Sequence, residues 1–439
     1  MKKCCISKMS WLESFPSHWE MCRLKDYTTT NTGITFTKAN LVDSGNAVLS
    51  YGQIHAKNNP TTRINHELIR FIPDSLVNDK LSSKVKQGDF IFADTSEDLK
   101  GCGNCIYINE PIDLYAGYHT ILLRNEGLGC GKYFVYLFMS DPWRSQIRKK
   151  VKSVKLYSIT QGILKQAFIV VPPIKEQEAI AVYLDKECEK IGRKIELLER
   201  KADAYSRLRR SLINRAVTRG LDPNTPMKST LIPWLGAIPA HWNIKRGKSL
   251  FKEVSRAVRP EDGVVTCFRN GEVTLRTNRR ITGFTESEQE IGYHGVRIGD
   301  LVIHQMDAFA GAIGISDSDG KCSPICIVCR EINSSETDLK YYCQLLRVMS
   351  HRGYIQALAK GIRERTTDFR YKTLASLHFP VPPIEEQKEI AAYLDEKCAK
   401  IDAILEKINT EVERLKELKR SLINEVVTGQ RAIDTESRS

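Results

Sequence analysis

Residues 171–218 read VPPIKEQEAIAVYLDKECEKIGRKIELLERKADAYSRLRRSLINRAVT, and residues 381–428 read VPPIEEQKEIAAYLDEKCAKIDAILEKINTEVERLKELKRSLINEVVT. The two stretches align without a gap at a constant offset of 210, and 23 of their 48 positions are identical. Such self-similarity marks a duplicated structural unit, around which the rest of the chain is arranged.

Each copy has the pattern of one long helix. A Pro-Pro pair precedes it, which suits a helix start because the first amides of a helix have no partner there. Glu176 and Glu386 place negative charge in the first turn, where the helix dipole favours it. At about 1.5 Å per residue, each helix would be about 65 Å long.

Apolar residues recur every seven positions along both copies, which is typical of a coiled-coil seam. The predicted seam residues are Leu184, Ile191, Leu198, Tyr205 and Leu212 in the first copy and Leu394, Ile401, Ile408, Leu415 and Leu422 in the second. The pattern predicts that the two helices bury these stripes against each other. The alternative is two separate helices, each packed on its own globular domain.

The composition is that of a globular protein with long helices: 439 residues, 41% hydrophobic and 27% charged, enough for two to four domains. No apolar run approaches the roughly 18 residues that cross a bilayer, and no secretory signal is expected. Thirteen scattered cysteines suggest reduced thiols in a cytoplasmic protein. The net charge of +13 favours a polyanionic partner, with nucleic acid as the first candidate.

A second repeat extends the duplication to the whole chain. Trp11, Leu12, Pro16, His18 and Trp19 recur as Trp234, Leu235, Pro239, His241 and Trp242. Between each signature and its helix lies a variable region, 28–170 or 251–380, with short apolar runs such as Asp89–Ala93 and Thr120–Leu123 separated by Gly, Pro and Asn, as strands would be. The aromatic stretch Lys132–Met139 is predicted to be a buried helix. The two regions share little beyond framework points such as Gly88-Asp89 and Gly299-Asp300.

Catalytic motifs are weak. No phosphate-binding loop, cofactor loop or methyltransferase tetrapeptide occurs. Asp74, Asp98 and Lys100 fit the degenerate PD…DxK pattern of metal-dependent nucleases only loosely, so we interpret the match as coincidence. The Cys102–Cys105 and Cys326–Cys329 pairs have zinc-knuckle spacing, but they fall in different variable regions, so we predict buried thiols and no metal site.

Basic residues are more informative, because a basic cluster precedes each long helix and could neutralise phosphates. A solvated charged face is the alternative. The phosphate-binding candidates are Lys149, Lys150, Lys152 and Lys155 in the first half and Arg363 and Arg365 in the second. Base edges are read by polar groups on loops. The candidates beside predicted strands are Tyr51, Gln53, Arg269, Asn270, Arg279 and Arg280.

Several motifs together resemble a known family. Pro172, Pro173, Glu176 and Gln177 form a PPxxEQ motif that recurs as Pro382, Pro383, Glu386 and Gln387, and I-A-x-Y-L-D follows at 180–185 and 390–395. With the IPxHW signature and the connector GLDPNTPMK, the chain resembles the specificity subunits of type I restriction–modification systems. The resemblance covers nearly the whole chain except the variable regions.

The resemblance implies an α+β architecture of two mixed α/β target-recognition domains, separated by two long conserved helices in an antiparallel coiled coil. The implied domains are a first target-recognition domain (1–173), a first spacer helix (174–218), a connector (219–233), a second target-recognition domain (234–383), a second spacer helix (384–428) and a C-terminal tail (429–439).

It also implies a function without catalysis in this chain. Each domain would read one half of an asymmetric bipartite site in double-stranded DNA, and the helices would set the gap. The chain would dock two modification subunits, which hold S-adenosylmethionine, while restriction (translocase-nuclease) subunits could join. No cofactor, metal or membrane is expected for this chain itself. The alternatives are a stand-alone sequence-specific DNA-binding regulator, a coiled-coil scaffold, and a nuclease acting through Asp74, Asp98 and Lys100.

Overall fold

The computed structural model describes residues 12, 14–153, 156–279, 291–358 and 368–433. The chain forms two compact units. Unit 1 consists of Met1–Glu199 and Thr410–Ser439, and unit 2 of Arg200–Asn409. Each long helix therefore contributes one part to each unit. Within the described ranges, no helix is long and apolar enough to cross a membrane.

The elements that lead to the first long helix alternate short strands with short helices. They are β1 (Glu20–Arg23), β2 (Thr28–Thr32), β3 (Asn46–Leu49), α1 (Tyr51–Ile54), β4 (Arg70–Ile72), β5 (Phe90–Ala93), β6 (Thr95–Ser96), β7 (Cys105–Tyr107), β8 (Leu114–Ala116), β9 (Thr120–Asn125), α2 (Gly131–Met139), α3 (Asp141–Arg148), β10 (Lys152–Ser153), β11 (Tyr157–Ser158), α4 (Gln161–Lys165) and β12 (Phe168–Val171), followed by the long helix α5 (Ile174–Arg219).

The second half repeats this plan. Its elements are β13 (Met227–Ser229), β14 (Ala237–Pro239), β15 (Asn243–Arg246), β16 (Phe251–Glu253), β17 (Val265–Cys267), β18 (Val273–Leu275), α6 (Arg276–Arg279), β19 (His294–Val296), β20 (Leu301–His304), β21 (Ile313–Ile315), β22 (Gly320–Cys322), β23 (Cys326–Glu331), α7 (Leu339–His351), α8 (Tyr354–Ala357), α9 (Tyr371–Ser376) and β24 (His378–Val381), followed by the long helix α10 (Ile384–Val427).

A four-stranded antiparallel sheet lies at the centre of each unit. Its strand order is β2-β9-β5-β7 in unit 1 and β16-β23-β20-β21 in unit 2. All four residues of the inner strand β5 are buried, as expected for a strand covered on both faces. In each unit a two-stranded pair, β1–β12 or β15–β24, joins the start of the domain to the segment before its long helix.

The repeated Gly-Asp dipeptide forms the turn into the inner strand. Gly88 and Gly299 have φ values of 97° and 87°, which glycine adopts without strain. The Asp89 carboxylate accepts the backbone N–H of Lys86 at 2.8 Å, and the Asp300 carboxylate accepts that of Arg297 at 2.7 Å. Both acids are buried. The same two residues therefore close the same turn in both units, although the surrounding sequences differ.

A junction of four motif residues fixes the start of each long helix. His18 Nε2 lies 2.9 Å from Glu176 Oε2 in unit 1, and His241 Nε2 lies 2.8 Å from Glu386 Oε2 in unit 2. The neighbouring Gln177 is buried, donates to the Pro172 carbonyl and accepts the N–H of Cys130. The PxHW motif (16–19 and 239–242) and the PPxxEQ motif are thus in contact where each domain meets its long helix.

The parts of α5 and α10 within each unit run antiparallel. In unit 1, Cys188 shares a core with Leu422, while Lys194 Nζ, further along α5, lies 2.9 Å from Glu411 Oε1, earlier on α10. In unit 2, Ile213 shares a core with Cys398, and Arg209 Nε lies 3.2 Å from Asp402 Oδ1. The predicted architecture, mixed α/β domains with two long antiparallel helices, is confirmed.

Candidate nucleic-acid interface

An exposed aromatic cluster lies where strands β3 and β5 end and strand β9 begins in unit 1. Tyr51 begins α1 directly after β3, and its ring lies edge-on to those of Tyr118 and His119, at centroid distances of 6.4 and 5.6 Å. His119 Nδ1 lies 3.0 Å from the carboxylate of Asp94, which follows β5. His119 has a φ of 54°, a conformation uncommon for a residue with a side chain and found often at functional sites.

The predicted lysines lie close to this aromatic cluster. Lys152 is exposed on β10, which pairs with β11 and through it with β6. The carbonyl oxygen of Thr95 in β6 lies 2.8 Å from His55 Nε2, at the end of α1. Strand β6 therefore connects the aromatic cluster to the basic hairpin. Lys149 and Lys150 are exposed at the end of α3, and Lys155 lies outside the described residues.

The arginines of the same basic stretch are held within the protein. Arg144 donates to the Phe138 carbonyl and to Asn104, and burial lowers the pKa of its guanidinium. Arg148 pairs with Asp141 at 3.2 Å and donates to the Lys100 carbonyl. Among the described residues of this stretch, Lys149, Lys150 and Lys152, unlike the arginines, have the exposure that phosphate contact requires.

Gln53 has a structural role that the sequence did not indicate. Its side-chain oxygen accepts the N–H of Ser50 at 3.0 Å, which completes a capping box around α1. Its assignment as a base-reading residue stays a prediction. By contrast, Tyr118 and His119 were not among the candidates, although an aromatic pair immediately before the predicted strand 120–123 was a usable signal.

The candidates of unit 2 gather around one tight turn after β17. Arg269 and Asn270 are exposed within it, and Arg269 Nη2 lies 2.8 Å from Asp307 Oδ1, just beyond β20. The Arg279 guanidinium lies 4.1 Å above the Phe268 ring and 3.4 Å from Glu272. Arg280, Arg363 and Arg365 lie outside the described residues.

In both units the candidates lie on loops that follow one inner strand of the central sheet and one strand of a smaller sheet. In unit 1 the residues follow β3 and β5, and in unit 2 they follow β17 and β20. A guanidinium held against a ring or a carboxylate presents its remaining N–H groups in a fixed direction, and exposed aromatic rings can pack on bases or sugars. These loops therefore have the hydrogen-bond donors and aromatic rings that contact with nucleic acid requires.

The structure places the remaining candidates in ordinary structural contacts. Asp74 accepts a hydrogen bond from Asn46 at 2.6 Å, and Asp98 accepts the Gly101 N–H at 2.7 Å. The Cys102, Cys105, Cys326 and Cys329 thiols are buried and free. Among the described residues, no three His, Cys, Asp or Glu side chains are arranged to hold a metal ion.

The ten predicted seam residues all lose much of their surface to the fold. Leu184 and all five residues from the second helix are buried, whereas Ile191, Leu198, Tyr205 and Leu212 are half-buried. Burial is therefore more complete along α10 than along α5.

A sequence profile described as the type I restriction modification DNA specificity domain matches residues 16–201 and 268–414. The two matches cover most of the chain. The chain belongs to the type I restriction–modification specificity family. One match falls on each half of the duplication, and each includes the candidate loops of its unit. A DNA specificity domain is therefore present twice.

Members of the specificity family align with this chain along nearly its whole length. The type I restriction enzyme MjaX specificity subunit of Methanocaldococcus jannaschii is 22% identical, with 98% of this chain and 97% of the relative aligned. The StySPI specificity subunit of Salmonella potsdam is 21% identical, with 94% and 89% aligned. The EcoKI specificity subunit of Escherichia coli K12 is 22% identical, with 94% and 89% aligned.

Solved structures from the specificity family share the fold. A chain from a structure described as the structural basis of complex assembly and conformational transition of the type I R-M system superposes with a TM-score of 0.68 at 16% identity, covering 95% of this chain and all of that one. The HsdS subunit from Thermoanaerobacter tengcongensis superposes with a TM-score of 0.51 at 16% identity, covering 95% and 98%.

Proposed function

We propose that this chain is the DNA sequence-recognition subunit of a type I restriction–modification complex. It reads an asymmetric bipartite site in double-stranded DNA, one half-site per domain. The observation that carries the proposal is the double match to the DNA specificity profile, one on each half of a duplicated chain. Because the loops after β3 and β5 differ in sequence from those after β17 and β20, the two half-sites differ.

The division of labour follows from the family. This chain selects the DNA site and holds the complex together, while two modification subunits bring S-adenosylmethionine and methylate the DNA. Restriction subunits join this core where cleavage occurs. We place the complex in the cytoplasm, in keeping with the free cysteines of the described residues.

Within unit 1, we assign phosphate contact to Lys149, Lys150 and Lys152, and base or sugar contact to Tyr51 with its neighbours Tyr118 and His119. Within unit 2, we assign base reading to Arg269, Asn270 and Arg279. The support is their exposure and, for the arginines, their fixed orientation. Phosphate contacts set affinity and salt dependence, whereas base contacts set the sequence that is read.

A domain exchange tests the proposal. The chain is expressed with its methyltransferase partner, and genome-wide methylation gives the recognised site. Replacing residues 1–173 with the corresponding domain of another specificity subunit should change one half-site and leave the other half and the gap unchanged. Methylation that retains both half-sites would contradict the assignment of one half-site to each domain. Specific tight binding by the chain without any methylation, in a host that supplies the partner, would favour the stand-alone regulator instead.

A lysine variant tests the contact assignment. The Lys150→Ala, Lys152→Ala double variant should weaken binding to all sequences alike and reduce the slope of log affinity against log salt by roughly 1 per lysine. Lys186→Ala, which removes an equally exposed lysine on α5, is the matched control and should keep the wild-type slope. An unchanged slope in the double variant would remove β10 from the interface.

A further inference from the structure

A basic cleft of about 270 Å³ lies in unit 2, between the last turns of α5 and helix α7. The cleft residues are Arg209, Arg210, Ser211, Ile213 and Asn214 from α5 and Gln344, Arg347, Val348, His351 and Arg352 from α7 and its end. Four guanidinium groups and an imidazole thus line one recess. Within the described part of the chain, no acidic side chain lines it.

The positive charges of the cleft are only partly balanced. Arg209 pairs with Asp402 at 3.2 Å, and Arg352 donates to the uncharged carbonyl of Trp234 at 2.9 Å. Among the ion pairs of the described residues, neither Arg210 nor Arg347 has a carboxylate partner. Burial lowers the pKa of the Arg347 guanidinium, and Arg209 adds to the shift. The cleft therefore has an excess of positive charge that an anion would stabilise.

Unit 1 contains an internal counterpart that shows which chemistry satisfies these groups. The LKRSLIN segment 418–424 at the end of α10 repeats LRRSLIN 208–214 of α5. In unit 1 the Asp141 carboxylate lies 3.5 Å from Arg420, the counterpart of Arg210, and 3.2 Å from Arg148. The side-chain oxygen of Asn424, the counterpart of Asn214, accepts the N–H of Asp141 at 2.9 Å. One residue thus supplies both an anion and a hydrogen-bond donor.

Unit 2 lacks this internal partner because its helix is continuous. In unit 1, α2 ends at Met139 and α3 begins at Asp141, and this break frees the amide that Asn424 accepts. In unit 2, α7 runs unbroken from Leu339 to His351. The side-chain oxygen of Asn214 is buried and has no hydrogen-bond partner among the described residues. A ligand that completes the cleft must therefore carry a donor as well as negative charge.

We infer that the cleft is a binding site for inorganic phosphate, held as the hydrogen phosphate dianion. Hydrogen phosphate carries two negative charges for the guanidiniums of Arg210 and Arg347 and one hydroxyl for Asn214. Planar guanidinium groups bind phosphate oxygens in pairs, which favours arginine at such sites. A partner's carboxylate carries one charge and no donor, and a phosphodiester of DNA likewise lacks a hydroxyl.

A phosphate bound in the cleft would also affect the candidate DNA-reading turn. The Arg347 guanidinium lies directly against Gly271, so closely that no side chain would fit between them. Gly271 belongs to the turn that carries Arg269 and Asn270. A bound phosphate would hold Arg347 in place behind this turn, and this consequence, unlike the binding itself, rests on the proposed function.

Calorimetric titration of the full chain without DNA tests the site, with inorganic phosphate, a nucleoside monophosphate and sulfate as separate probes. Phosphate should bind once per chain, and tighter than sulfate or the nucleoside monophosphate, both of which carry the charge but no hydroxyl on the anionic group at neutral pH. Arg210→Ala should weaken phosphate binding by about tenfold or more, because a charge-assisted hydrogen bond is lost. Arg420→Ala, the same change at the counterpart in unit 1, should leave binding within about twofold of wild type.

Two further variants separate the parts of the inference. Arg347→Met copies Met139 of unit 1 and should weaken phosphate and sulfate alike, whereas Asn214→Leu should abolish the preference for phosphate over sulfate. Circular dichroism should be used to check that each variant is folded. Arg210 is exposed, so its replacement does not disturb the core. Wild-type phosphate affinity in Arg210→Ala and Arg347→Met would overturn the site. Displacement of phosphate by duplex DNA would show that the cleft binds DNA and not a small molecule. Loss of specific DNA binding with phosphate binding intact would count only against the proposed function.

Discussion

Gln387 bonds three backbone groups, from two segments of the chain, through one buried side chain at the start of α10. Its side-chain nitrogen lies 2.9 Å from the carbonyls of Pro382 and Glu336, and its oxygen accepts the N–H of Asp338 at 2.9 Å. The counterpart Gln177 makes two such bonds, to Pro172 and Cys130. A single glutamine therefore joins the domain to its helix in each unit.

Gln387→Ala should lower the free energy of unfolding by about 2–4 kcal/mol, because it leaves buried backbone groups without partners. Gln177→Ala should lower the free energy of unfolding by less, because fewer backbone groups lose a hydrogen bond. Lys388→Ala, one residue further along on the exposed face, should stay within about 0.5 kcal/mol of wild type. Denaturant unfolding followed by circular dichroism measures all three. Equal effects of Gln387→Ala and Lys388→Ala would show that the junction does not depend on this side chain.

His304 makes the stability of unit 2 sensitive to pH. Burial lowers the pKa of its imidazole and Arg269 lowers it further, although Asp307 acts in the opposite direction. Because the pKa in the folded state lies below the unfolded value of about 6.5, this histidine favours folding above that pH. The contribution is lost as the pH falls from about 6.5 through the folded-state pKa.

His304→Asn keeps an acceptor for the Asp307 N–H, which now donates to His304 Nδ1 at 3.1 Å. The variant should lose less stability than wild type between about pH 7.5 and pH 5.5. His378→Asn removes an exposed histidine and serves as the control. Thermal unfolding across this pH range gives the comparison. A wild-type pH profile in His304→Asn would show that other groups, such as His351, account for the acid sensitivity.

At the scale of the elements, the heptad stripe predicts which helix positions stabilise the fold. Leu415 is 5% exposed, whereas Leu418, one turn further along α10, is 51% exposed. Leu415→Ala should therefore lower the free energy of unfolding by about 2–5 kcal/mol, because it removes buried apolar surface and leaves a cavity. Leu418→Ala should change the unfolding free energy by no more than about 0.5 kcal/mol. Similar costs for both would mean that the seven-residue repeat does not define the buried face.

The helices and strands were predictable because their signals are local and periodic. A seven-residue repeat sustained over five positions indicates a long helix without any tertiary information. The aromatic stretch Lys132–Met139 was predicted as a buried helix and forms most of α2, and the apolar runs at 89–93 and 120–123 correspond to β5 and β9. Each of these segments has a composition that fits one secondary structure.

The loop clusters were less predictable because they depend on how strands distant in sequence are paired. Tyr51, Asp94 and His119 come from three separate segments and meet only because β5 and β9 of the central sheet and β3 of a second sheet end or begin next to one another. Likewise, no feature of the sequence distinguishes Arg144, held within the fold, from Lys150, which is exposed. Gln53 had the residue type of a base-reading group, yet its side chain caps its own short helix.

At the scale of the whole molecule, the duplication distinguishes the structural contacts that both units keep from the loops in which the two units differ. The His–Glu pair and the buried glutamine recur in both units, because each fixes a domain onto a helix of the same sequence pattern. The Gly-Asp turn also recurs, because it leads into the inner strand of each central sheet. The loops beyond β5 and β20 make no such shared contact and have diverged. A chain built in this way can change either half-site without altering its spacer helices.

The length of the helices is the remaining variable, and it leads to a prediction about the gap between half-sites. If α5 and α10 set the separation of two DNA-reading domains, removing one heptad from each shortens the spacer by about 10 Å. B-DNA advances about 34 Å per turn, so such a shift changes both the distance and the angular position of one half-site relative to the other. Deleting one matched seven-residue segment from both helices should therefore alter the preferred gap or abolish specific binding.

The seven-residue repeat makes this deletion a controlled one. Removing a whole heptad keeps the apolar stripe in register, whereas removing two residues from each helix would rotate the stripe by about 160° and turn it away from its partner, which is expected to unfold the helix pair. Genome-wide methylation in a host that supplies the methyltransferase subunit reports the gap and both half-sites in one measurement. The half-site bases should stay the same, because the loops that read them are unchanged. A changed half-site with an unaltered gap would show that the helices do not measure the distance, and that spacing is set within the domains themselves.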